Sequence, residues 1–217
     1  MKIDKNSYGS ITGVWVSCLL LSFLSVHFIH LKWISIPLAS LLTMFMLFVT
    51  WFFRVPKRNK KDESNFVTSV ADGKIVIIKQ VYEPEYLKRD CIQVSIYMDF
   101  FDVHANFWPV TGKITYYKYH PGKYALAFLP KASEKNEHSS IGMRTPFGEI
   151  FFKQIAGTFA RRIVCYATEG ECESCGEQCG IIKFGSRIDI YLPLDADIKV
   201  KLGDPVRACE SVIAVLK

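Results

Sequence analysis

The chain has 217 residues, is 50% hydrophobic and carries a formal net charge of +6, which suffices for one ordinary domain plus an additional element. Five of the positive charges fall between Arg54 and Lys61, directly after a long apolar stretch; this suits a membrane surface and disfavours nucleic acid, for which no binding module follows. Seven cysteines in a domain assigned to the cytoplasm read as reduced thiols, against a disulfide scaffold.

From Ile11 to Phe53 the only charged or imidazole side chains are His27, His30 and Lys32. The pattern predicts two apolar spans, about 11–29 and 33–53, joined by a tight polar turn, each near the roughly 20 residues that cross a bilayer. The stretch is too long for a cleaved signal peptide and no small-residue cleavage site follows it; one span with an interfacial helix is the competing arrangement. Lys2 and Lys5 precede the hairpin and the Arg54–Lys61 cluster follows it. By the positive-inside rule both ends lie on the cytoplasmic side of the cell (inner) membrane. The expected organisation is a membrane anchor over 1–58 and a β-rich domain over 59–217.

After a polar linker, 60–68, short β-branched and aromatic runs recur at 74–81, 91–97, 113–119, 149–155, 161–167, 180–184, 187–192 and 198–202. Gly, Pro and Asp separate them at spacings typical of an all-β sandwich or barrel. The exceptions are a short helix near 82–87 and a polar loop or helical segment over 124–137. Two echoes suggest internal pseudo-symmetry. Asp72-Gly-Lys-Ile75 resembles Thr111-Gly-Lys-Ile114, and Gly170-Glu171 and Gly203-Asp204 each lead through a cysteine and a glutamate into an apolar run.

Chemistry-bearing residues lie at the junctions. Asp72 precedes Gly73 in Ser69-Val-Ala-Asp-Gly73, a common turn, but also a place from which a carboxylate can orient an imidazole. His104 sits between Asp102 and Asn106 in aromatic surroundings; it reads either as a satisfied buried histidine or as a base poised near neutral pH. Cys172, Cys175 and Cys179, with Cys165 nearby, lack the paired spacing of a zinc site, and ordinary loop thiols are the simpler reading. Gly185-Ser186, between two strand-like runs, is either a turn or a place where the chain cuts itself. The Ser186 hydroxyl can attack the unhindered Gly185 carbonyl; elimination from the resulting ester and hydrolysis would then leave a pyruvoyl group at position 186.

Taken together, Ala71-Asp72-Gly73, Asp102-Val-His-Ala-Asn-x-x-Pro109, His120-Pro-Gly-Lys123, Gln154-Ile-Ala-Gly-x-x-Ala-Arg-Arg-Ile163 and Phe184-Gly-Ser-Arg-Ile-Asp-Ile-Tyr-Leu-Pro193 resemble the phosphatidylserine decarboxylases in their short, archaeal-type form. The resemblance implies that Ser186 becomes the pyruvoyl group, with cleavage between Gly185 and Ser186 into a β chain (1–185) and an α chain (186–217) that stay together as a heterodimer. It implies that His104 takes the hydroxyl proton and Asp72 holds the ring. Longer members carry a second histidine where Phe107 stands, so His104 would serve both steps; Val70 replaces a usual proline, and Gly-Ser-Arg fits the short subgroup.

The implied reaction converts phosphatidylserine to phosphatidylethanolamine and carbon dioxide through a Schiff base on the pyruvoyl group, with no pyridoxal phosphate and no metal. Arg161 and Arg162 are candidates to hold the lipid phosphate, an exposed strand pair being the alternative. Two other functions stay open: the same chemistry on another amino-phospholipid or amino acid, and a non-catalytic membrane scaffold whose cysteine loop binds metal.

Overall fold

Residues Tyr8–Phe28 (α1) and Lys32–Phe52 (α2) are helices, because an apolar stretch of this length satisfies its backbone groups internally only in that form. Both are long and apolar enough to cross a membrane, and their outward faces carry residues such as Leu20, Phe23, Leu41 and Met44. Trp15 Nε1 donates to Thr50 Oγ1 at 3.0 Å between them. Strands β1 (Lys2–Ile3) and β2 (Arg54–Val55) pair with each other, so the two ends of the hairpin meet. The helix bounds lie within a few residues of the apolar stretches at 11–29 and 33–53.

This is a computed structural model that describes residues 2–61, 63–122, 136–157, 163–182 and 186–217. The chain divides into two units, Met1–Lys57 and Arg58–Lys217. The second is mainly β. Its strands are β3 (Phe66–Thr68), β4 (Gly73–Glu83), β5 (Arg89–Met98), β6 (Ala105–Phe107), β7 (Gly112–His120), β8 (His138–Thr145), β9 (Gly148–Ala156), β10 (Ile163–Cys165), β11 (Cys172–Glu173), β12 (Gln178–Ile182), β13 (Ser186–Leu192), β14 (Asp197–Ile198), β15 (Pro205–Val206) and β16 (Val212–Val215). An eight-stranded sheet runs β11-β7-β8-β9-β13-β5-β4-β15, and two three-stranded sheets run β10-β12-β6 and β14-β16-β3. One core joins a face of the large sheet, through Val94, Ile96, Ile141, Ile188 and Ile190, to both small sheets, through Ile182 and Ile213.

The order of the strands is pseudo-symmetric about the β9–β13 contact, and the hydrogen bonds repeat with it. Gly73 and Lys74 pair with Val206 and Pro205, as Gly112 and Lys113 pair with Glu173 and Cys172. Ile75 N–H donates to Asp204 O as Ile114 N–H donates to Glu171 O. Phe107 N–H donates to Val70 O and Thr68 N–H to Pro109 O, each at 2.9 Å, a reciprocal exchange between the halves. The two echoes in the sequence are therefore the two turns of one repeated unit.

One half, β6 to β12, is continuous; the other is interrupted. β8 and β9 are joined by a tight hairpin at Thr145↔Gly148, whereas the equivalent pair, Met98↔Ser186 of β5 and β13, is separated by the entire continuous half. The chain thus opens one hairpin and inserts its own duplicate there.

Several expectations need correction. The short helix near 82–87 is the end of β4 and a turn: the Glu83 carboxylate accepts the N–H groups of Glu85, Tyr86 and Leu87 at 2.7–2.8 Å, capping that turn before the chain returns as β5. The linker over 60–68 already contains β3, and of the final run, 198–202, only Ile198 is strand, forming β14 with Asp197 before it. Strand β8 coincides with none of the strand-like runs in the sequence. The segment expected over 124–137 lies outside the described residues up to 135.

Candidate active site

Ser186 is the first residue of β13, the strand flanked by β5 and β9, and pairs with Met98 on one side and Ala156 on the other. Strand alternation puts its side chain on the same face as Ile188 and Ile190, toward the core. It is fully buried, and its Oγ donates toward Met98 Sδ at 3.0 Å. Gly185 lies outside the described residues.

His104 ends the other link of the opened hairpin, 99–104. It too is fully buried. Its Nδ1 is 3.0 Å from Asp102 O, and its own carbonyl accepts the N–H of Ile182 at 3.2 Å. Ile182 is the last described residue before the link that ends at Ser186. His104 therefore lies against the described end of β12, and Ser186 against the end of β5.

Asp72 sits at the turn into β4, in the repeat position that Thr111 fills in the other half. Ala208 N–H donates to Asp72 Oδ1 at 2.9 Å, as Cys175 N–H donates to Thr111 Oγ1 at 2.9 Å. The duplicated turn thus accounts for the placement, and the carboxylate is what distinguishes this copy. Asp72 Oδ2 accepts from Arg58 at 2.5 Å. Phe107 is buried in β6, and its N–H is bonded to Val70 O.

Two amides complete the enclosed surface. Asn106 Nδ2 lies 3.9 Å from Met98 Sδ, and its Oδ1 accepts from Gln154 Nε2 at 2.8 Å. Gln154 Oε1 is buried with no hydrogen-bond partner among the described residues. Gly180 is required beside it, since a Cβ there would stand 2.3 Å from Val164 O and 2.9 Å from Gln154 Nε2. Both amides belong to motifs visible in the sequence, but their contact spans 48 residues and only the fold reveals it.

Arg161 and Arg162 lie outside the described residues. The cysteines hold separate positions: Cys175 Sγ faces Thr68 Oγ1 and Pro109 O, and Cys209 Sγ faces Gly176 O. Burial raises the thiol pKa of Cys165 to about 11 and of Cys209 to about 12, and that of Cys179 well above its usual range. The thiolates a metal needs are disfavoured there. Among the described residues, the donor set that could hold a metal ion is Glu85, His120 and His138, whose ligand atoms lie within 4.8 Å of one another. No spacing in the sequence singles it out. Here Glu85 already accepts from His120, Tyr116, Ser140 and Lys153, and Lys153 supplies the positive charge.

Comparison with known proteins identifies the family of the chain. The family profile described as phosphatidylserine decarboxylase matches residues 45–214. The "phosphatidylserine decarboxylase proenzyme" of Amoebophilus asiaticus is 49% identical over 79% of this chain and 77% of its own length. Those of Cytophaga hutchinsonii and Parabacteroides distasonis are 40% and 37% identical, over 99% and 100% of this chain and 98% and 99% of theirs. With a profile match across most of its length and relatives aligned end to end, the chain belongs to the phosphatidylserine decarboxylase family.

Proposed function

We propose that the protein is a membrane-anchored phosphatidylserine decarboxylase, made as a proenzyme that cuts itself between Gly185 and Ser186. The observation that supports this reading is that His104 O accepts from Ile182 N–H while Ser186 pairs with Met98 at the interrupted β5–β13 hairpin, in a chain of this family. Ser186 Oγ attacks the Gly185 carbonyl carbon while His104 removes the hydroxyl proton. The contact of Nδ1 with Asp102 O favours the tautomer whose Nε2 carries the lone pair. Asp72, whose carboxylate accepts from Ala208 N–H and Arg58, is the residue assigned to hold the imidazole. The C–N bond breaks to give an ester, elimination releases the 1–185 carboxylate, and hydrolysis of the dehydroalanine releases ammonia.

The residues around Ser186 fit the group so formed: the site is enclosed, and the acceptor Gln154 Oε1, linked to Ser186 through Asn106 and Met98, suits a substrate that brings an amine. The pyruvoyl group would supply a ketone that takes up the serine amine and accepts the electron pair left by carbon dioxide, so neither pyridoxal phosphate nor a metal is needed. His104 returns the proton to carbon, and Arg161 and Arg162 hold the lipid phosphate. The helices anchor the chain in the cell membrane, with its β unit on the cytoplasmic side.

Denaturing mass spectrometry of the active protein should give fragments 1–185 and 186–217, the second with a blocked N-terminus. A single intact chain in an active preparation overturns the reading. Ser186→Ala and Asp72→Asn should abolish cleavage, and Phe107→Ala should leave it largely intact. Carbon dioxide release from vesicles of defined head group separates phosphatidylserine from other amino-phospholipids.

A further inference from the structure

Between Met98, which meets Ser186, and His104, the chain makes a turn whose tip is aromatic. Phe101 is 67% exposed and Phe100 37%, and their rings meet edge to face, with centroids 5.6 Å apart. The flanking aspartates brace this turn. Asp102 Oδ2 accepts the N–H of Asp99 at 2.7 Å, Asp99 Oδ1 accepts that of Phe100 at 2.6 Å, and Asp102 N–H donates back to Asp99 O. Both carboxylates are thus committed to backbone donors inside the turn, and the two phenyl rings are what the tip presents.

A second exposed apolar tip is connected to this turn through a shared cavity. Asp99 and Asp102 line a cavity of about 300 Å³ together with Gly73, Lys74, Tyr97 and Pro205. Pro205 follows the turn Lys201–Asp204, whose Leu202 is 63% exposed. Lys74 lines the cavity and Tyr97 offers an amphipathic wall, while the phenyl tips at 100–101 adjoin Asp99 and Asp102 in the chain and Leu202, next to Lys201, lies three residues before Pro205. Apolar tips that enter a lipid interface, with cations at the level of anionic head groups, have this composition.

We infer that the 99–102 turn, with Leu202 beside it, docks on the phospholipid bilayer; the inference rests on the reading of the substrate as a bilayer lipid. Insertion of Phe100 and Phe101 holds the strand end at Ser186 and the link to His104 at the membrane interface. A lipid head group then reaches the site without its acyl chains leaving the membrane, whose extraction into water would be costly.

Reconstitution of the full chain into vesicles of phosphatidylcholine and phosphatidylglycerol containing a phospholipid with a photoactivatable acyl chain tests this without reference to activity. Lipid adducts are expected on the peptide containing Phe100 and Phe101, as well as on the two helices. Labelled helices with an unlabelled 99–104 peptide overturn the docking. The double variant Phe100→Ser/Phe101→Ser should still cleave itself, lose about tenfold in turnover of phosphatidylserine in vesicles, and stay within about twofold on a monomeric short-chain phosphatidylserine. Equal loss on both substrates, or on neither, also counts against it. A wild-type protein that labels at 99–104 yet decarboxylates neither substrate refutes the functional reading while leaving the docking intact.

Discussion

Glu85 gathers four donors on one carboxylate: His120 at 2.6 Å and Tyr116 at 3.1 Å on one oxygen, Lys153 at 2.7 Å and Ser140 at 3.1 Å on the other. Burial alone would raise its pKa, but the contacts with Lys153, His120 and Ser140 outweigh it and hold the group down to about 2, from 4.5. His120 stacks on His138, with centroids 4.4 Å apart, and burial lowers the pKa of His138. A carboxylate with a depressed pKa stabilises the fold fully above its unfolded value and loses that contribution as pH falls through its folded value. Stability should therefore decline between about pH 4.5 and 2, by on the order of 3 kcal/mol from this group. In the uncleaved Ser186→Ala background, Glu85→Gln should lower the urea midpoint at pH 7 and flatten its fall across that window. An unchanged slope would remove Glu85 as the source. The partners of Glu85 lie 31 to 68 residues away, so no local pattern exposes this hub, whereas Ser186, His104 and Asp72 are legible as proposed site residues because each stands in a short motif defined by side-chain identity.

Among the elements, β13 carries most of the consequence. Its core-facing residues Ile188, Ile190 and Leu192 are fully buried, and so are Arg187 and Asp189 on the opposite face, which pair bidentately at 2.8 and 2.9 Å. Removing one partner of a buried pair strands the other charge, at a cost of about 3–5 kcal/mol. Asp189→Ala should therefore cut thermal stability sharply, while a double Arg187→Met/Asp189→Leu variant, measured in the same uncleaved background, should recover much of it. A loss as large in the double variant would mean that the pair is not what matters. Strands such as β13 and β9 are readable from their β-branched and aromatic runs. β8 is not, because His-Ser-Ser-Ile-Gly-Met-Arg-Thr carries neither a long apolar run nor clean alternation. The turn at 84–88 reads as helix because one buried side chain, Glu83, satisfies three successive N–H groups as a helix start would.

At the scale of the molecule, the duplicated architecture explains why the segment carrying His104 and the start of β13 at Ser186 both belong to one interrupted hairpin. The β5–β13 hairpin is opened between Met98 and Ser186, and the short echoes in the sequence predict the repeat but not that one copy is inserted into the other. The same topology determines how the two pieces behave after a cut at 185. Residues 186–217 contain β13 to β16, spread over the eight-stranded sheet and one three-stranded sheet. β13 is bonded along its length to β5 and along most of it to β9, so departure of the small chain would break both ladders and expose Ile188, Ile190, Ile213 and Ala214 from the shared core. Burial of even a few such side chains, at about 1.5–3 kcal/mol each, makes dissociation in native buffer unfavourable. The cleaved protein should elute as one peak in mild detergent, contain both fragments in equal amounts, and separate into two only in denaturant. Loss of the 186–217 fragment on native chromatography of an active preparation would show that β13 is held less firmly than its two ladders require.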